Sequence, residues 1–260
     1  MSVTNRRFAV ATLLTGVIAG LVGLACIHLL HWIQALAWDM HSGTLLEAVS
    51  AVSPARRVLI LTLGGVLGGA SWFFLFRRSR AITSVSAAVG GTPMPPLRAT
   101  WHALTQVLIV SLGASVGREV APREMAAAFS AAAADRLGLT PEDRRIIVAC
   151  GAGAGLAAVY SIPMSGAIYT LEILLVSRSG RAVAPAFCTS AIAVLISTGF
   201  TRPAPFYTVP TLTPSLSLTV FAALIGPLLG ATGWAFKQAV ARVGAARPRD
   251  WRLLASLPTA

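Results

Sequence analysis

Long apolar runs separated by short basic clusters organise this chain. The first run, Phe8–Trp38, is punctuated by Gly16, Gly20 and Gly23, small residues that let helices approach closely. A second, Val58–Phe76, meets Arg77, Arg78 and Arg80. Six more follow: Trp101–Val116, Glu124–Leu137, Ile146–Tyr160, Pro163–Val176, Ala184–Gly199 and Leu216–Val243. Several are shorter than the roughly 20 residues a helix needs to cross a bilayer. Residues 81–96, between the second and third runs, are small, polar and rich in Gly and Pro. Irregular backbone at membrane depth is tolerated only where it lines a cavity or is buried in protein. Short apolar segments interrupted by Gly and Pro mark broken helices that meet near the midplane. The pattern predicts an all-α polytopic membrane protein of tilted and broken transmembrane helices, with residues 1–260 forming one transmembrane domain.

Composition supports the same class. Of 260 residues, 55% are hydrophobic and 12% charged, and mean hydropathy is +0.74, whereas soluble domains carry about 25% charged residues. The net charge of +12 lies in clusters between apolar spans, which fits positive-inside topology and not a nucleic-acid face. Arg6 and Arg7 before the first hairpin, and Arg77, Arg78 and Arg80 after it, place the N-terminus in the cytoplasm. The loop carrying Asp39, His41 and Glu47 is then outside. Trp32, Trp38, Trp72 and Trp101 fall near span ends and are expected as interfacial anchors. Cys26, Cys150 and Cys188 lack metal-ligand spacing and read as small buried hydrophobes, so no cofactor is implied. Thr140-Pro141-Glu142-Asp143 reads as a helix start, with a Thr cap, Pro at the first helical position and acids in the first turn.

The chemistry concentrates at Gly117-Arg118-Glu119-Val120-Ala121-Pro122. Charged side chains at membrane depth cost roughly 2.5–3.5 kcal/mol each, so they are rare and mark functional sites. Gly117 admits close backbone approach, and Pro122 suits the first turn of a helix. The N–H groups of that turn and the helix dipole make an anion site. Glu119 puts a carboxylate where an anion would bind, so the two can alternate. A plainer reading makes Glu119 the ion-pair partner of Arg118 or Arg123. Arg118 is expected to orient the loop, and Glu124 to stabilise the helix start through the dipole.

A second motif runs from Gly151 to Gly166 (GAGAGLAAVYSIPMSG) and is followed by Glu172. It resembles the CLC chloride channels and chloride/proton exchangers, whose corresponding stretch reads like GAAAGLAAAFNAPLAG and ends in a Glu. That family places a G-R/K-E-G-P motif about thirty residues before its glycine-rich stretch, where Gly117–Pro122 stands. The resemblance covers the first half of a family member and the start of the second. It implies a homodimer in the lipid bilayer, each subunit with its own pore built from two inverted repeats. This chain would hold one repeat largely complete, in a prokaryotic inner (plasma) membrane. It also implies transport of chloride or a similar anion held by backbone amides at helix N-termini. Carried over, the gate is Glu119, which competes with the anion when ionised and swings away when protonated. Gly117, Arg118, Val120 and Ala121 frame the site, and Glu172 is a candidate for a proton pathway.

The chain departs from the family pattern at several points. Val120-Ala121 stands where the family usually has one Gly. The family's G-S-G-I-P loop, which supplies an anion-binding Ser, aligns with Ser79-Arg80-Ala81-Ile82-Thr83 and puts either Ser79 or Arg80 at that position. Exchangers carry a second acid directly after the one matching Glu172, whereas this chain has Ile173, which favours channel-like conduction over exchange. The family's second-half pore motif is not found, which makes a truncated, non-conducting fragment one alternative; a chloride/proton exchanger is the other, since transporters with other residues at the Ile173 position exist in the family. An intramembrane serine protease is excluded, because no His follows Ser165 to serve as its base.

Overall fold

The computed structural model describes residues 3–77, 82–177, 179–199, 213 and 215–245. All regular structure among them is helical. The order is α1 (Val3–Trp38), α2 (Leu45–Ala51), α3 (Pro54–Arg77), α4 (Val85–Val89), α5 (Pro96–Ser111), α6 (Val120–Arg136), α7 (Pro141–Tyr160), α8 (Pro163–Ile168), a π-helix (Tyr169–Leu175), α9 (Gly180–Ser197) and α10 (Leu216–Ala245). Among the described residues, α1, α3, α9 and α10 contain stretches long and apolar enough to cross a membrane. The chain divides into two units, with α1–α9 in the first and α10 in the second.

In the first unit α6 and α7 form an antiparallel hairpin on which α1, α5, α8 and α9 pack. The hairpin is tight because α7 carries no side chain at the contact. A Cβ on Gly155 would lie 2.5 Å from the Pro122 carbonyl oxygen, and one on Gly153 would meet Thr170 Oγ1 and the Gly166 carbonyl. The glycine-rich run thus lets α6 and α8 approach α7 from different sides. The small residues of α1 act as expected: Gly16 and Gly20 lie against Ile192 and Ile196 of α9, and Gly23 against Ala158.

Capping follows the local sequence. Thr140 Oγ1 accepts from the Asp143 amide at 3.2 Å, with Pro141 opening α7. The segment expected as one span from Pro163 is one continuous helix to Leu175, whose winding changes from α to π at Tyr169. Two segments expected without regular structure contain short helices. The first loop holds α2, closed by a capping box between Thr44 and Glu47. The Gly/Pro-rich stretch holds α4, capped by Ser84.

One expectation is corrected. Trp38 is no interfacial anchor: it is 1% exposed, packs among Ile60 and Leu112, and donates from Nε1 to the Ser111 carbonyl at 2.9 Å. Burying an indole requires a partner for its N–H, and the end of α5 supplies one. Trp32 and Trp101 are exposed as expected. Cys26 and Cys150 are buried, Cys188 is partly so, and all three are free thiols.

Arginines gather at one end of the unit. Arg144 pairs with Asp135 at 2.6 Å, Arg181 grips buried Asp143 at 2.8 and 2.9 Å, and Arg145 donates to the Leu175 carbonyl at 3.0 Å. Arg7 lies beside Gly138 at the same end. This end joins the starts of α1, α7 and α9 to the ends of α6 and the π-helix. The other end of the α6–α7 hairpin, about 25 Å away at 1.5 Å per residue, holds the start of α6 and the end of α7.

Candidate functional site

Glu119 is the N-cap residue of α6, and its carboxylate does not cap its own helix. Gly117, at φ +77°, turns the chain so that the carboxylate folds back over it. A Cβ on Gly117 would collide with both Glu119 carboxylate oxygens, so the turn needs glycine on two grounds. Val120 and Ala121 open α6, and Pro122 falls in its first turn. Helix geometry leaves the first N–H groups without intrahelical acceptors, and the dipole favours negative charge there.

The second wall comes from the end of α7. Tyr160 is its last residue, and Ser161, in the left-handed conformation at φ 57°, ends it. The Tyr160 hydroxyl donates to Glu119 Oε2 at 3.1 Å, and the Arg118 guanidinium carbon lies 5.1 Å from the centre of the Tyr160 ring. Gly117, Arg118, Glu119, Val120 and Ala121 therefore form one turn-and-helix start, closed by a tyrosine 41 residues later. The arrangement places an ionisable carboxylate and a helix N-terminus at the same spot, which suits alternation between side chain and anion.

Other predicted residues are placed differently. Glu172 is exposed on the π-helix and makes no hydrogen bond or ion pair among the described residues. Ile173 beside it is 64% exposed. Ser79 and Arg80 lie outside the described residues. Glu124 is not a dipole-stabilising residue at a helix start: its Oε2 lies 2.6 Å from His102 Nδ1 of α5, with both side chains nearly buried. A buried carboxylate needs a charge-assisted partner more than it needs a dipole, and His102 supplies it, its ring centre 6.3 Å from that of Trp72.

Three of these partners escaped the sequence reading: Tyr160 for Glu119, His102 for Glu124, and Tyr169, whose hydroxyl accepts from Arg123 Nη1 at 3.1 Å. The one available signal was the pair of tyrosines on either side of α8, Tyr160 before it and Tyr169 after it.

Fold and site together define an all-helical membrane protein with a carboxylate at the N-terminus of one of its helices. The family described as "Voltage gated chloride channel" matches residues 64–259, and the chain belongs to that family, the CLC proteins. It is 30% identical over 198 residues to the voltage-gated ClC-type chloride channel ClcB of Escherichia coli O81 (strain ED1a), covering 74% of this chain and 47% of the relative. The ClcB protein of Shigella boydii serotype 18 (strain CDC 3083-94 / BS512) matches with the same identity and coverage. The chain thus spans about half the length of these curated relatives. A crystal structure of a slow cyanobacterial Cl−/H+ antiporter superposes with a TM-score of 0.78 at 19% identity, covering 97% of this chain and 60% of that one.

Proposed function

We propose that the chain forms part of a transmembrane path for chloride or a similar anion, gated by Glu119 and more channel-like than proton-coupled. The observation that carries this reading is the Glu119 carboxylate, folded over Gly117 and held by Tyr160 at the open start of α6. Ionised, it occupies the anion's place; protonated, it loses the charge that suits the helix N-terminus and swings out. Gly117, Arg118 and the amides of Val120 and Ala121 frame the anion. The preference for channel behaviour rests on Ile173, an exposed apolar residue where a proton relay would need an acid. Glu172 remains the acid nearest in sequence to that position, and the fold shared with a Cl−/H+ antiporter supports exchange as the second reading.

The reading extends to topology and assembly. The arginine-rich end faces the cytoplasm, as positive-inside bias requires, so the N-terminus is cytoplasmic and Glu119 lies toward the opposite side of a prokaryotic inner membrane. The working unit is a homodimer in which this chain supplies one largely complete repeat of the transmembrane domain.

Chloride efflux from liposomes holding the purified chain, with external pH recorded, tests this directly. Efflux without proton movement supports the channel-like reading. Proton movement coupled to chloride establishes exchange and discards the argument from Ile173. Folded protein that passes no chloride means this half alone does not conduct.

A further inference from the structure

A groove of about 530 Å³ lies between α1 and α6, within the usual size of a ligand pocket, about 300–1,000 Å³. Leu14, Ile18 and Leu21 form one stripe along α1, and Phe129, Ala133 and Arg136 form one along α6. Ala133 stands one turn from Phe129 and carries no side chain long enough to fill the space between the helices. Leu14 and Leu21 are 40% and 54% exposed, so the groove is open along its length. Both stripes lead to the arginine-rich end, where α1 begins and α6 ends. Arg7 lies on the stripe of α1, two turns before Leu14, and its Nη1 stands 3.6 Å from where a Cβ on Gly138 would be, just past the end of α6. Arg136 ends the stripe of α6. Both arginines are exposed, and among the described residues neither makes a hydrogen bond or an ion pair. Their neighbours differ: Arg144 and Arg181 pair with Asp135 and Asp143, and Arg145 donates to the Leu175 carbonyl.

Exposed leucines are ordinary on a membrane helix, and a convex apolar face meets whatever lipid is near. This face is concave and ends at two unengaged guanidiniums. From Leu14 to Leu21, and from Phe129 to Arg136, each wall rises about 10 Å at 1.5 Å per residue. Half of the roughly 30 Å hydrocarbon core is about 15 Å, so the groove takes most of one acyl chain of a single leaflet. A guanidinium matches the geometry of a phosphate and stays charged at any pH a protein meets. Basic pockets between membrane helices bind anionic headgroups on that pattern. The plainer reading gives Arg136 the helix dipole and Arg7 the topology; neither accounts for the hollow beside them.

We propose that this groove holds an anionic phospholipid, its phosphate between Arg7 and Arg136 and one acyl chain laid along Leu14, Leu21 and Ala133. The site stands on the groove and its two arginines; its assignment to the inner leaflet rests on the topology proposed above. A lipid seated there bridges α1 to α6, the helix that carries Glu119 at its other end.

The test uses the purified full chain in a non-ionic detergent, with bound lipids counted by native mass spectrometry. Dioleoyl phosphatidylglycerol is titrated against dioleoyl phosphatidylethanolamine, which has the same chains and no net charge. The expected result is about one phosphatidylglycerol retained per chain, in preference to phosphatidylethanolamine. A double variant, Arg7→Gln with Arg136→Gln, changes only exposed positions. It should lose about 10- to 30-fold in phosphatidylglycerol affinity and keep its affinity for phosphatidylethanolamine. Ala133→Leu narrows the groove and should weaken both lipids. Equal retention of the two lipids by the wild type overturns the proposal and leaves the groove to bulk lipid or to a protein helix. A double variant that keeps the preference overturns it too. Displacement of the lipid by millimolar inorganic phosphate would make this a site for the free ion, with the same consequence. Neither orientation nor anion flux enters a measurement in detergent, so a failed gate or a reversed topology cannot mimic any of these outcomes.

Discussion

The Tyr160 hydroxyl donates to Glu119 Oε2 at 3.1 Å, tying the end of α7 to the carboxylate at the start of α6. The contact joins the end of the glycine-rich motif to the Gly117–Pro122 motif, 41 residues earlier. If Glu119 is the proton-sensitive gate, Glu119→Gln carries the shape of the protonated acid without its titration. Chloride efflux through that variant should be flat across the pH range where the wild type changes. A variant that keeps the wild-type profile places the titrating group elsewhere.

Tyr160→Phe tests the restraint on the gate. A hydrogen bond to a charged acceptor contributes about 1.5–3 kcal/mol, part of which water restores when the hydroxyl goes. The donor steadies the carboxylate in its place over Gly117, so its loss should free the proposed gate and raise chloride efflux at a fixed pH. Efflux no higher than that of the wild type would mean that Tyr160 does not restrain Glu119.

What the sequence revealed and what it hid divide along chain distance. The Gly117–Pro122 helix start, the Thr140 cap and the close approach at Gly16 and Gly20 are written in local patterns: a helix start, a threonine before a proline, small residues at helical spacing, although nothing local names α9 as the partner. Tyr160 and Glu119 lie 41 residues apart, and Trp38 and Ser111 lie 73 apart. Those partnerships depend on how two helices are rotated about their axes, which no local window contains. Trp38 shows the cost of the local rule. A tryptophan at a span end suits an interface, yet a carbonyl at the end of another helix drew it into the core. Glu124 misled similarly, because position in a first turn suggested the dipole while the partner on α5 lay 22 residues upstream.

The His102–Glu124 pair should prove costly to break and cheap to replace. With Nδ1 and Oε2 2.6 Å apart and both side chains nearly buried, His102→Leu strands a carboxylate inside the protein. The expected loss is about 3–5 kcal/mol. Converting Glu124 to Leu as well removes the stranded charge, and the double variant should recover most of that loss. Thermal unfolding in detergent reads both. A double variant no more stable than the single would show that packing against Trp72, and not charge, sets the cost.

Gly155 decides how close α6 can sit to α7. An added Cβ would stand 2.5 Å from the Pro122 carbonyl oxygen and 3.0 Å from the Ala126 Cβ. The first of these neighbours is backbone in the opening turn of α6, so it yields only if the helix start moves. Alanine is the better helix former by about 1 kcal/mol, which would stabilise α7 taken alone. Overpacking costs about 1–3 kcal/mol, and here it falls on the residues that position Glu119. Gly155→Ala should therefore lower the unfolding temperature and alter efflux together. Gly180→Ala, at the start of α9 with nothing within 4 Å of an added Cβ, should change neither. If Gly155→Ala left both stability and efflux at wild-type values, α6 and α7 would have slack at this contact, and the glycine-rich run would need a reason other than close approach.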